Sequence, residues 1–316
     1  MDTINVDRLY TKDHVFEKCI MCRKEIPKNE LTREHIFPKW LLHKYHLWEL
    51  PMELPNGASF QYNSFWVPCC QKCNGERMSP LENQIKKAVE EGFDSFIKLD
   101  RKIIAWWLYK IYYSKLVKET QMRQNLKEPH SAKIISDEAL WTYNHLYTYM
   151  TCLLSGDNIQ PDFPYELYIY KTSNENVFDY LDVIETNTLY MRMNDILIVC
   201  SLDSGKYFLP YYEREIKILN TLSLVHPLQT VELFVRISFF RYHYDVISMP
   251  STKETHESRI IIQNTILKAK MPIHTFGLYC MLKQYLFARG LQQEFPPYRP
   301  DQHVPSLIHP ENPETN

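Results

Sequence analysis

A chain of 316 residues is long enough for two cores of ordinary size, and its 45% hydrophobic, 14% aromatic and 23% charged residues exclude a disordered or fibrous protein. The net charge of −2 excludes a strongly basic coat for nucleic acid, although residues 1–130 hold 21 Lys and Arg against 17 Asp and Glu, a mildly basic front before an acidic remainder. With no apolar run of about 18 residues and a polar first dozen, the expectation is a cytoplasmic chain with neither a spanning helix nor a secretory signal.

Residues 13 to 80 alternate short apolar runs with Pro, Asn and charged residues, a loop-rich pattern that needs a staple to fold. The staple is supplied by cysteines, which in a reducing compartment act as ligands rather than disulfides. Cys19, Cys22, Cys69, Cys70 and Cys73 crowd the first quarter, whereas Cys152, Cys200 and Cys280 stand alone in apolar surroundings and read as core. Between the clustered cysteines, Lys39–Trp48 reads as a short helix carrying His43 and His46. Ser79 before Pro80 predicts an N-cap and N1 for a helix through LENQIKKAVEEGF. Asp100–Met122 has apolar residues at helical spacing and predicts a long helix with one buried face, and Ser136–Leu154 a second. Tyr165–Lys171, Thr186–Met193, Ile196–Ser201, Tyr207–Tyr212 and Val231–Ile247 read as strands, with a turn at Asn194-Asp195, before helices at Glu257–Lys270 and Phe276–Arg289. Gly, Asp, Asn and Pro between Gly156 and Pro164 mark a boundary, and the proline-rich end at 296–316 reads as extended.

Cys19-Ile-Met-Cys22 and Cys70-Gln-Lys-Cys73 are two CxxC knuckles, the spacing that turns paired thiolates toward one tetrahedral Zn²⁺. Cys70 is preferred to Cys69 because its gap to Cys73 repeats that of Cys19 and Cys22. A closed four-thiolate site is structural, since a catalytic zinc keeps a position open. The 47 residues between the knuckles far exceed a simple ribbon, and they contain Leu31-Thr-Arg-Glu34-His35-Ile36-Phe37-Pro38. Neighbouring strand side chains face opposite ways, so Glu34 and His35 serve one site only where the strand ends or bends, and Pro38 suits that.

CxxC, Glu34-His35-Ile36-Phe37-Pro38 and Cys70-Gln-Lys-Cys73-Asn74, in that order, resemble the HNH endonuclease family in the branch whose ββα-metal motif is stapled by two CxxC pairs. The resemblance covers about Val15 to Glu90. It implies His35 as the base that activates water, a role suited to an imidazole with an ordinary pKa of about 6.5. It implies Glu34 and the Asn74 side-chain carbonyl as ligands of a catalytic Mg²⁺ or Mn²⁺. Glu82, on the helix after Asn74, is a candidate for a further metal ligand, with an exposed helix carboxylate as the commoner reading. The family's middle Asn, which orients the catalytic His through its backbone, has Phe65 in its usual place here and Asn63 two positions away. Lys39, Lys44, Lys72 and Arg77 flank the motif as phosphate contacts.

The expected fold class is therefore α+β: an HNH domain with a four-cysteine zinc site at 1–95, a helical segment at 96–158, a mixed α/β, β-rich domain with terminal helices at 159–295, and the tail at 296–316. The expected activity is metal-dependent hydrolysis of phosphodiester bonds, in DNA by family precedent, with the 159–295 domain left for a protein partner or oligomer. By analogy, such an architecture suits a bacterial defence nuclease or toxin. The alternative is a non-catalytic zinc module that binds nucleic acid or protein. Intact Glu34, His35 and Asn74 favour the enzyme.

Overall fold

A computed structural model of the protein describes residues 18–53, 59–125, 128, 130–160, 164–254, 259–270, 273–291, 295, 299 and 304–308. The start of the expected HNH segment at Val15 and most of the proline-rich tail lie outside these described residues. The chain is a mixed α/β fold with a strand-and-helix region first, then helices, then a region rich in strands. It divides into two compact units: residues 1–90, 98–160 and 250–262 form unit 1, and residues 91–97, 161–249 and 263–316 form unit 2.

Unit 1 opens with β1 (Leu31–His35), α1 (Lys39–Lys44), β2 (Pro51–Glu53), β3 (Ser59–Gln61) and β4 (Trp66–Cys70). β1 and β4 pair antiparallel with Leu31 opposite Cys70 and His35 opposite Trp66, and β2 pairs with β3. α1 is shorter than the sequence suggests because His46 adopts a left-handed conformation (φ 55°), which turns the chain out of the helix. A π-helical turn at Lys72–Met78 runs into α2 (Ser79–Glu91). Ser79 is not the expected N-cap: its hydroxyl returns to the Asn74 carbonyl at 2.8 Å, and its own N–H bonds the same carbonyl. Pro80 has no N–H for the carbonyl four residues earlier, a local cause for the widened turn.

After α3 (Phe93–Phe96) comes α4 (Arg101–Glu119), begun by Asp100, whose side chain accepts from Lys102 N–H at 2.9 Å. Instead of one buried face, α4 is buried on every side from Ile104 to Val117, packed against β4 and a later helix. The expected helix from Ser136 is two: α5 (Asp137–Thr142), capped by Ser136, and α6 (Asn144–Ser155), ended by Gly156 at φ 74°. β5 (Asn158–Gln160) closes the segment.

Unit 2 is built on β6 (Glu166–Lys171), β7 (Phe178–Val183), β8 (Thr188–Met193) and β9 (Ile196–Ser201), an antiparallel sheet in the order β6-β9-β8-β7. The β8–β9 turn falls at Asn194, as expected, with φ 51°. Three expectations fail here. Tyr207–Tyr212 is not a strand but a stretch containing a short 3₁₀ turn at Leu209–Tyr211, with Pro210 inside it, that leads into α7 (Glu213–Leu219). Val231–Ile247 is mostly α8 (Pro227–Tyr242): His226 and Gln229 form a capping box with Pro227 at N1, and Glu232, Arg236 and Ser238 are buried with the apolar residues because the helix is enclosed. The described part of the expected Glu257–Lys270 helix, residues 259–270, is not helical. It contains β11 (Arg259–Ala269), whose Ile-Ile-Ile run pairs parallel with β5 and which neighbours β10 (Tyr244–Glu254).

α9 (Thr275–Ala288) packs on α8, and α8 covers β8 and β9. Cys280, expected in the core, is exposed on α9. The described part of the tail, 304–308, is docked rather than free: Leu307 N–H and the Ser306 hydroxyl both donate to the buried Glu232 carboxylate of α8. Among the described residues, no helix is long and apolar enough to cross a membrane.

Candidate metal centre and the Glu34-His35 strand

The first knuckle is a tight turn, closed by Cys19 N–H to the Lys24 carbonyl (2.9 Å) and Arg23 N–H to the Cys19 carbonyl (2.8 Å). Arg23 has φ 54°, a left-handed conformation for a residue with a side chain, and that side chain is well held. Its guanidinium donates to Tyr113 (2.9 Å) and Asn144 (2.7 Å) and lies over the Tyr147 ring, while the Tyr147 hydroxyl donates to the Met21 carbonyl (2.7 Å). The turn is thus pinned to α4 and α6. The second knuckle spans the end of β4 and the start of the π-helical turn. Ile20 N–H bonds the Pro68 carbonyl and Cys70 N–H points to the Cys19 sulfur, so the knuckles are docked to each other.

Cys19, Cys22, Cys70 and Cys73 bring their sulfurs within 4.8 Å of one another, with Cys22 and Cys70 at 4.0 Å. A zinc tetrahedron with bonds of ~2.3 Å has sulfur–sulfur edges of about 3.8 Å, so spacing and donor set both fit one metal ion. Charge fits as well. Hydrogen bonds from Cys22, Cys69 and Cys73 hold the Cys19 thiol far below its ordinary range, and the Cys19 thiolate in turn raises Cys22 to about 11 and keeps Cys73 well above its usual value. Four sulfurs this close would repel one another as thiolates, and a bound cation would offset that repulsion. Cys69 is a fifth sulfur at the edge of the site, 3.7 Å from Cys19.

The geometry around the four cysteines extends to the strand beside them. Asn74, next to Cys73, donates its side-chain N–H to the Thr32 hydroxyl (3.0 Å), which donates to the Cys69 carbonyl (2.8 Å). Thr32 and Glu34, two apart on β1, share a face. There Glu34 is buried against Lys110, whose ammonium also donates to Glu82 (2.9 Å) and to the main-chain carbonyl of His35 (3.0 Å). Burial alone would lower the Lys110 pKa, but the two carboxylates outweigh it and hold the pKa above its ordinary value. Burial pushes Glu82 upward, against the pull of Lys110. Glu82 is therefore no free surface carboxylate, and Lys110 occupies the place between the two acids. Sequence reasoning passed over Lys110, although a single lysine inside Trp-Trp-Leu-Tyr-Lys-Ile-Tyr-Tyr is a signal, because a buried ammonium requires partners.

The His35 ring lies elsewhere. Its ring centroid is 5.4 Å from that of Trp48, which stacks on His43 at 4.7 Å. Burial holds the His35 imidazole below its ordinary pKa, the Lys39 and Lys110 charges add to the fall, and main-chain groups of Asn63 and Arg33 oppose it. Asn63 also ties this corner together by donating its N–H to the Trp48 carbonyl (3.2 Å). Its main chain is beside the His35 ring, yet the buried Nδ1 has no partner in hydrogen-bond geometry among the described residues. The structure thus joins Glu34, Glu82 and Lys110 in one buried cluster, joins Asn74 to the same strand through Thr32, and sets the His35 ring against Trp48.

No family model matches the chain, and no curated protein or solved structure is significantly similar to it. The cluster of Cys19, Cys22, Cys70 and Cys73 is the part of the site that its own geometry establishes: four cysteines placed to hold a metal ion.

Proposed function

We propose that the four-cysteine cluster holds a structural zinc and that the module it organises binds nucleic acid without cutting it. The observation that carries this reading is Lys110. A catalytic metal at Glu34 would need that carboxylate free, and Glu34 and Glu82 are both engaged by a fixed cation buried between them. The strand is then a scaffold, with Glu34 anchoring β1 to α4. Arg33, Lys39 and Lys72 are exposed on this part of the chain, Arg33 over the Trp66 ring, and they supply the phosphate contacts. Fluorescence polarisation with labelled single- and double-stranded DNA and RNA tests this. Binding is expected to weaken steeply with salt and to lose about one unit of salt slope in Lys39→Glu or Lys72→Glu. Salt-independent binding, or none, would remove nucleic acid as the partner.

One observation favours a second reading, a Mg²⁺- or Mn²⁺-dependent HNH-type nuclease. β1 ends at a buried His35 whose pKa is held below its ordinary value, and β4 leads directly into the helical turn bearing Asn74, so two strands and a helix carry the residues that the resemblance assigns to cleavage. This reading requires Lys110 to yield Glu34 to a divalent metal.

A further inference from the structure

Unit 2 has an open cavity of about 780 Å³ that belongs to none of the chemistry above. It is of a size used for small molecules. Phe178, Leu224 and Val231 give it an apolar side, and Arg192, His226 and Arg289 supply N–H donors.

Arg192 is the unusual member. Its side chain, on β8, is 11% exposed, and its Nε and Nη2 are buried without a hydrogen-bond partner among the described residues. The other buried arginines of this unit are satisfied: Arg241 forks onto Asp203 and also donates to the Tyr244 carbonyl, and Arg236 donates to Glu232 and the Pro305 carbonyl. Among the described residues the anionic partner of Arg192 is Glu175, whose carboxylate forms an ion pair with Nη2 at 3.2 Å. Glu175 is itself 54% exposed and is held by the Ser173 hydroxyl. A buried guanidinium whose Nε has no acceptor among the described residues, and whose anionic partner is half exposed, is costly in an isolated protein and is explained by an acceptor that arrives from outside.

The other donors fit such an acceptor. His226 accepts from Leu228 N–H through Nδ1, which leaves its N–H on Nε2. Burial and the Arg192 charge hold this imidazole below its ordinary pKa, with Glu175 opposing them. Arg289 is partly exposed and pairs with Asp179.

We propose that this cavity binds a small organic anion, a carboxylate or phosphate on an apolar body, whose charged group displaces Glu175 and takes the fork of Arg192. The apolar side receives the body of the ligand, and the paired arginine geometry recognises its oxygens.

Calorimetry on the full chain with 5′-AMP, benzoate and adenosine tests it. At least one of the two anions should bind, with adenosine about tenfold weaker or more. Binding of AMP alone identifies a phosphate site, and binding of benzoate alone a carboxylate site. Arg192→Ala should weaken the bound anion by about tenfold or more. Glu175→Gln, on an exposed side chain that leaves the fold intact, should tighten it by removing the competing charge. The proposal is overturned if neither anion saturates the protein by about 10 mM, if adenosine binds as well as AMP and benzoate does not bind, or if Glu175→Gln leaves the affinity unchanged.

Discussion

Lys110, in the middle of α4, places its ammonium against the buried carboxylate of Glu34 at the end of β1, and the same nitrogen holds Glu82 of α2 and the His35 carbonyl. Three elements of unit 1 converge on one cation. Lys110→Met leaves two acids facing each other in the interior, and unfolding by urea should show a loss of about 3–5 kcal/mol. Adding Glu34→Gln and Glu82→Gln should return part of it, because the uncompensated charges are gone. Unchanged stability in Lys110→Met would show that the ion pair does not hold the fold.

The pH response of His35 follows from its depressed pKa. Above the unfolded value of about 6.5 both states are neutral and its contribution is complete. As the pH falls below this, the unfolded chain takes up the proton first, and stability is lost until the pH passes the folded value. NMR titration should place the His35 midpoint below that of a free histidine, and His35→Gln should be less acid-sensitive than the parent. A midpoint at or above about 6.5 would contradict the burial argument.

Cleavage assays with Mg²⁺ and Mn²⁺ on DNA and RNA separate the two readings of unit 1. The binding-module reading expects no cleavage by the parent and unchanged nucleic-acid affinity in His35→Ala. Metal-dependent cleavage by the parent that falls about a hundredfold in His35→Ala would replace it with the nuclease reading. In that case Asn74→Ala should be partly rescued by excess metal, as lost ligation would require.

Much of unit 1 was legible because its signals are local. The two CxxC spacings identified the cluster, and Pro38 with the Glu34-His35 pair marked the end of β1. What the spacing could not reveal is that Lys110, 76 residues after Glu34 in the chain, fills the ground between two carboxylates. In unit 2 the misreadings have separate causes. Val231–Phe240 has no exposed polar face because α8 is enclosed, with Glu232, Arg236 and Ser238 buried beside its apolar residues, which blurs the helical period, and only the His226-Pro227 start retained a helix signal. β7 was missed because Phe178–Val183 intersperses two aspartates in a half-buried edge strand.

The zinc content of the protein and its cysteine variants tests the central claim most directly. Elemental analysis of protein purified without chelators should find about one zinc per chain. Cys70→Ser and Cys73→Ser should lose it and destabilise the region around β1 and β4, while Cys69→Ser, altering a neighbour rather than a ligand, should keep it. Absence of zinc from the parent, or full zinc in Cys70→Ser and Cys73→Ser, would contradict the account.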